Sequence, residues 1–472
     1  MIYNASFAPA LILGVGGMAL LLIGVLTKRD RFTFCSFGAV ALLVLAAISS
    51  ATVPDGAIFG GLIKTSRFTR FADMLVYLGA AMALILSLDY NRREKIARFE
   101  YPVLVLFAVL GMIVMVSAAD LMTLYIGFEL QSLALYIAAA IARDSLRSTE
   151  AGLKYFVLGG LASGLLLYGI SLVYGFAGTT NFASLANILG NGAGYGTVVG
   201  VVFVLIGLAF KISAAPFHMW APDVYEGAPT PVTALFGTAP KAAAMALFLS
   251  VMAGPFGHLV GQWQALIEIL SIISMALGAL AAIGQTNIKR LMAYSSIGHM
   301  GYALMGLAAG TVEGFQATLI YMALYVVMSF GAFACIIAMR RKGQAVEKIS
   351  DLAGLAGERP WFALAFAIIM WAMAGIPPLS GFFGKLYIFA AAMNAGLLQL
   401  AIIGVVTSII GAFYYLRVIK VMYFDRGTPD FDMTPASVKF VMSAGAVVTV
   451  LYILLPGPLV AAAAAAARVL AG

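Results

Sequence analysis

Charge is scarce in this chain. Only 10% of its 472 residues are Asp, Glu, Lys or Arg, whereas 63% are hydrophobic, and the mean hydropathy is +1.02. So little charge cannot furnish an ordinary water-facing surface, and the composition is that of an integral membrane protein. Cysteine is nearly absent too. Cys35 and Cys335 stand in separate apolar runs with no Cys-x-x-Cys between them, which removes the pattern for an iron–sulfur cluster or a disulfide framework. Both read as small buried hydrophobes. The three histidines, His218, His258 and His299, are too few and scattered to argue for haem. The Gly-x-Gly-x-x-Ala match at Gly14, Gly16 and Ala19 lies inside an apolar run and lacks the preceding strand that a dinucleotide site needs; close helix packing is the better use of those glycines. No bound cofactor and no metal are expected. The connections near 54–70, 178–194 and 340–360 run only about twenty residues, so chemistry is expected within the bilayer.

Apolar runs long enough to cross roughly 30 Å of hydrocarbon, about 20 residues each, fall at 7–26, 32–53, 71–90, 101–119, 121–142, 149–177, 195–220, 231–253, 263–284, 289–309, 314–339, 361–394, 397–424 and 436–467. This predicts an all-α polytopic membrane protein with about fourteen transmembrane helices. The stretch 101–142 carries only Asp120 and Glu129 as charges. As one helix it would be about 63 Å long at 1.5 Å per residue, twice a bilayer, so it must turn near Asp120. Residues 1–26 have no basic stretch before the apolar run and are expected to be the first helix, not a signal peptide.

Nineteen of the 28 lysines and arginines fall in connections on one side of such a path, and four (Lys64, Arg67, Arg70 and Arg468) on the other. The rich side includes Lys28, Arg29, Arg31, Arg92, Arg93, Arg143, Arg147, Lys289, Arg290 and Arg340–Lys342. The positive-inside rule therefore places both termini on the outer face of the membrane. It also accounts for the net charge of +8 as a topogenic signal. No basic run with interleaved aromatics stands outside the pattern, so nucleic acid is not an expected partner; the lipid bilayer is. Trp220, Trp263 and Trp361, at the ends of apolar runs, fit an interfacial belt.

Four ionisable residues remain deep in apolar sequence: Glu129, Lys211, Lys241 and Lys385. A charge at the centre of a membrane helix costs roughly 2.5–3.5 kcal/mol on insertion scales and defaults to a functional reading. Lys241 lies roughly 15–18 Å of helix from either end of its run, too deep to snorkel; Glu129 lies roughly 12 and 20 Å from the ends of its own. Lys154, about five residues into its run, is able to snorkel. A static ion pair is the bland alternative for the deep charges. The runs around Lys211 and Lys385 read GLAFKISAAPFHMWAPDVYEG and AMAGIPPLSGFFGKLYIF. Pro216, and Pro377 with Pro378, should break both helices near mid-membrane. Irregular backbone at that depth is tolerated where it is buried in protein or lines a wet cavity, so each lysine is expected to face hydrated interior. Paired interrupted helices point to an inverted-repeat transporter.

The stretches TLYIGFELQSLALY, GLKYFVLGGLASGLLLYGISLVYG, FKISAAPFHMWAPDVYEGAPTPVTA, NIKRLMAYSSIGHMGY and GIPPLSGFFGKLYIF closely resemble the antiporter-like membrane subunits of respiratory complex I, over essentially the whole chain. Within that group the chain is most similar to the subunit N branch of bacterial NADH:quinone oxidoreductase: KYFVLGG and GLLLYG are typical of it, Lys385 stands where subunit M would carry glutamate, and the long lateral helix of subunit L is not expected. The resemblance implies a three-helix segment over 1–100, inverted five-helix repeats over 101–253 and 263–424, each with its broken helix fourth, and a C-terminal helix over 436–467. It implies Glu129 as partner of Lys211, Lys241 as central proton carrier and Lys385 as outlet group, with Lys154 and His299 as further members of a proton relay. The resemblance implies that NADH, FMN, iron–sulfur clusters and quinone are held by partner subunits, that other membrane-arm subunits, including antiporter-like ones, are neighbours, and that the membrane is the bacterial cytoplasmic (inner) one, with both termini periplasmic.

On this reading the chain moves protons in a translocase driven by quinone reduction elsewhere. Burial favours a neutral lysine and a nearby carboxylate a charged one, so making or breaking a Glu129–Lys211 contact would pass a proton towards Lys241. Three alternatives stay open: a subunit of a multi-subunit cation/proton antiporter, a structural subunit with inert ion pairs, and a haem or quinone oxidoreductase in its own right.

Overall fold

Helix boundaries follow local capping chemistry. The computed structural model describes residues 5–26 and 30–470, so Lys28 and Arg29 of the basic tally lie outside the described residues. The first four long helices are α1 (Ala8–Leu26), α2 (Arg31–Thr52), α3 (Arg67–Arg93) and α4 (Glu100–Ser117). Asp30 starts α2 by accepting from Thr33 N, and a Ser66–Thr69 capping box starts α3. The long apolar stretch turns where expected: α4 ends at Ser117, and Asp120 caps α5 (Leu121–Ala139) by accepting from Met122 N at 2.8 Å. There follow α6 (Leu146–Ala177), a short α7 (Phe182–Gly190) inside the expected loop, α8 (Tyr195–Ile212), α9 (Trp220–Gly227), α10 (Thr230–Phe236) and α11 (Ala239–Ala253). The second half comprises α12 (Val260–Ile283), α13 (Ile288–Ala308), α14 (Val312–Ala338), α15 (Leu355–Glu358), α16 (Pro360–Ala374), α17 (Ser380–Asn394), α18 (Leu398–Phe424), α19 (Ala436–Leu451) and α20 (Gly457–Leu470).

By length and composition, eleven spans among the described residues suffice to cross a membrane, and α16, α19 and α20 are shorter apolar helices. Two expected single helices are divided. The run 231–253 is cut at Gly237–Thr238, and Pro240 opens α11; the run 436–467 is cut before Gly457, where Pro456 cannot continue α19. The strands among the described residues form two antiparallel hairpins, β1 (Gly56–Ile58) with β2 (Ile63–Thr65) and β3 (Arg340–Arg341) with β4 (Gln344–Ala345).

The centre of the bundle is α10, α11, α13 and α14, buried on nearly every side, whereas α1, α2 and α18 bury only about a third of their apolar length. Glycines let helices touch at the backbone: a Cβ on Gly111 of α4 would lie 2.4 Å from Gln131 N of α5, and one on Gly278 of α12 would lie 2.5 Å from Gly298 N of α13. Connections expected on one side meet one another. Ala118 pairs with Ile63 and Asp120 with Asn181, while at the other end Asn287 pairs with Lys348 and Arg340 reaches Glu94 at 2.7 Å. Trp361 is exposed at a helix end, but Trp220 and Trp263 are not belt residues. Both are buried, their indole N–H groups donating to Phe210 O and Phe256 O.

Candidate functional site

The α8–α9 interruption is an irregular segment, 213–219, that contains Pro216. Ending a helix at mid-bundle strands its last carbonyls, and these need partners. Ser213 turns the chain with φ of 61°, and Ala214 N returns to Ala209 O. Trp220 Nε1 donates to Phe210 O at 3.0 Å. The remaining partner is Lys241, which reaches across from α11 to donate to Ile212 O at 2.5 Å and Ser213 Oγ at 2.6 Å, with its ammonium 5.6 Å from the Trp220 ring. A cation there meets the negative end of the α8 dipole, so a lysine only 1% exposed is held without a carboxylate. The Gly237–Thr238 cut places Lys241 in the first turn of α11. Gly-Thr-Ala-Pro, just before Lys241, was the signal for that cut.

Lys211 sits one residue before the end of α8 and points the other way. Its ammonium donates to Ser132 Oγ of α5 at 2.6 Å and lies 4.6 Å from the Phe128 ring. Glu129 is one turn from Ser132 on the same face, yet it makes no ion pair with Lys211 within 4.0 Å; Ser163 of α6 donates to its carboxylate instead, and Ser163 meets Tyr125 at 3.1 Å. The two charges are linked through the α5 surface and not by direct contact. Glu129 is half-buried, on the rim of the bundle.

The second interruption, between α16 and α17, holds Pro377 and Pro378. Gly375 closes α16 with φ of 84°. Lys385 of α17 folds back to donate to Ala374 O at 2.9 Å and Ser408 Oγ at 2.8 Å, with Met373 O at 3.5 Å. A Cβ on Gly375 would stand 2.9 Å from the Lys385 ammonium, so the glycine is needed for both its turn and this approach. The space beside Lys385, about 10 Å³, fits about one water and is lined by Ser295, His299, Tyr302, Ser408 and Tyr415 among others. His299, 3% exposed, is held by Tyr321 OH at Nδ1 (2.6 Å) and Tyr415 OH at Nε2 (3.0 Å). Residue identity alone pointed to none of these partners: Ser132, Ser163, Ser213, Ser408, Tyr321 and Tyr415 are ordinary residues in apolar helices.

Lys154 stands apart from this interior. It is partly exposed and pairs at 2.8 Å with both Glu150 and Asp223. Asp223 and Glu226 of α9 also bind Arg290 of α13, at 2.7 and 3.1 Å, while Arg147 reaches Glu226 and Glu347. Lys289, counted above only as a topogenic cation, is 2% exposed and donates to Glu347 Oε1 at 3.1 Å and to the Glu226 and Ala228 carbonyls. Burial of Glu347 opposes its ionisation, but Lys289, Asn287 and Arg147 outweigh it and hold the carboxyl below its ordinary range. This cluster ties α6, α9 and α13 together at one face of the bundle.

A family model described as NADH:quinone oxidoreductase/Mrp antiporter, TM, matches residues 118–411. NADH-quinone oxidoreductase subunit N 1 of Acidiphilium cryptum is 62% identical over 464 residues, covering 98% of this chain and 97% of that one. Among solved structures, a chain of respiratory complex I from Thermus thermophilus with bound aureothin superposes with a TM-score of 0.84 at 33% identity, covering 97% of this chain and 99% of that one. A chain of the Mrp complex from Dietzia sp. gives 0.88 at 23% identity, over 100% and 98%, a likeness of fold alone. The chain belongs to the family of antiporter-like membrane subunits shared by NADH:quinone oxidoreductase and the Mrp antiporter, and within it to the subunit N branch.

Proposed function

We propose that this chain translocates protons in the membrane arm of a bacterial NADH:quinone oxidoreductase, through Glu129, Lys211, Lys241, His299 and Lys385, with Lys154 as a further member of the relay. The energy comes from quinone reduction in partner subunits, which hold NADH, FMN, iron–sulfur clusters and quinone. The observation that carries this reading is that both interrupted helices end on a buried lysine, Lys241 at α8 and Lys385 at α16. Such a lysine is stabilised by carbonyl dipoles and hydroxyls, so it gives up and regains a proton without breaking an ion pair. Fourteen crossings, two inverted repeats and outward termini complete the reading. It is supported by the matching of the two interruptions and by contacts that join connections expected on the same side.

The Mrp-type likeness in fold favours a second reading, a cation/proton antiporter subunit, for which the same lysines would serve. Identity of 62% to a subunit N weighs for the first. Replacing Lys241 with alanine in an assembled complex tests it: pumping should fall about a hundredfold or more, as for loss of a proton-transferring group. Unchanged pumping and NADH:quinone turnover would leave the buried charges structural.

A further inference from the structure

Asp73, on the second turn of α3, has no place in the relay. It is 9% exposed, and its Oδ1 has no hydrogen-bond partner among the described residues. A buried carboxyl costs heavily unless something satisfies it. It lines a pocket of about 30 Å³ between α1, α2, α3 and α4, enough for about two waters, or an ion with one water. Ser6, Ser50, Thr65, Thr69 and Ser117 supply the polar walls.

Three of these five hydroxyl protons are spent. Ser117 donates to Ile113 O, Thr69 to Ser66 O and Thr65 to Pro54 O, while Ser50 is shared with Tyr77 OH at 3.1 Å. Among the described residues, Ser117 and Thr65 accept from no donor, and Thr69, which accepts from Ser66 N at 2.9 Å, keeps one lone pair. Arg70, the cation lining the pocket, is engaged elsewhere, with Asp55 at 2.6 Å and Val53 O at 2.6 Å. Arg70 lines the pocket, and Tyr77 and Asp55 stand behind it as partners of Ser50 and Arg70; α1 presents Pro9 and Ala10, α2 presents Ser50, and α4 presents Ile113, Val114 and Ser117. A small pocket whose polar wall is one carboxyl, several hydroxyl oxygens and an arginine already paired elsewhere suits a hard monovalent cation.

We propose that Asp73 and the surrounding hydroxyls bind one small monovalent cation, a sodium ion, at a site separate from the lysine relay.

The test uses the purified intact complex at alkaline pH with labelled sodium. Sodium retained by the native complex and weakened at least about a hundredfold by Asp73→Asn would assign a sodium site; changes in outer-shell residues alone cost 10–100-fold. Asp73→Glu, which keeps the charge, should recover part of the binding. If no sodium is retained, a carboxylic-acid infrared band present in the native complex and absent in Asp73→Asn would show Asp73 to be a neutral buried acid and overturn the proposal. Absence of sodium retention by the native complex overturns the proposal with or without that band. If Asp73→Asn does not assemble, Ser117→Ala probes the same ligand set by sodium retention, which should weaken. Lys241→Ala should retain sodium at the native level, so failure of the relay and failure of this site are read separately.

Discussion

The two interrupted helices solve one problem with different parts. Both leave carbonyls at the end of a half-helix inside the bundle, and both end on a positive-φ residue, Ser213 at 61° and Gly375 at 84°. At α8 the cap is Lys241, delivered by another helix, and Ser213 contributes its hydroxyl to it. At α16 the cap is Lys385, delivered by the continuation of the same broken helix, and Gly375 contributes only the space its missing Cβ leaves. The first interruption keeps a second cation, Lys211, facing outward to Ser132 and the Glu129 side; the second has a neutral-capable imidazole, His299, held between tyrosines. The matching element is the capped helix end, not the lysine's place in sequence. The first half carries the carboxylate and two ammoniums, and the second carries one ammonium and a histidine.

Arginine separates capping from proton exchange and therefore tests that comparison most severely. It donates well to carbonyls, but it stays protonated. Lys241→Arg and Lys385→Arg should both assemble, because the helix ends remain satisfied, and both should lose pumping by about a hundredfold. The check is proton uptake by vesicles containing each variant, with complex content measured on native gels. Pumping retained by one arginine variant alone would break the equivalence and leave that lysine a structural cap.

A smaller effect is expected at Glu129. Because it reaches Lys211 only through the Ser132 face of α5 and is half-buried, Glu129→Gln removes a remote charge and no direct partner. Pumping should fall about tenfold, less than for either capping lysine. Paired measurement with Ser132→Ala sharpens this: if the serine carries the coupling, the two losses will not add.

Much of this arrangement was readable in the residues. Buried charge in a charge-poor chain singled out Lys211, Lys241 and Lys385, and proline located both interruptions, because each signal has a large local energy. The Asp120 turn followed from length alone. What stayed hidden depends on which helices meet. Nothing local distinguishes Ser132 or Tyr415 from any other hydroxyl in a membrane helix; their partners are 79 and 116 residues away. Trp220 was misplaced for the same reason: a tryptophan near the end of an apolar run suits a lipid interface, but here that run is interrupted, and the indole serves a carbonyl that the interruption exposed.

The surface cluster offers the mildest contrast with the interior cuts, since its charges are paired by carboxylates and partly reached by water. Glu347 is held ionised by Lys289, Asn287 and Arg147 against the cost of its burial. A carboxyl whose folded value is depressed contributes stability that is present above its unfolded value, about 4.3, and is lost as pH falls through the folded one. The native complex should therefore lose thermal stability on acidification below about pH 4. Glu347→Gln should remove that part of the dependence and leave Lys289 buried with only the Glu226 and Ala228 carbonyls. Because an uncompensated buried charge is costly, the variant should also melt lower at neutral pH. Melting curves across pH, with pumping measured alongside, decide the point. A lower melting temperature with pumping intact would confine the cluster to fastening α9 against α13, while parallel loss of pumping would mean that the half-helix beyond the first cut must stay clamped for Lys241 to work.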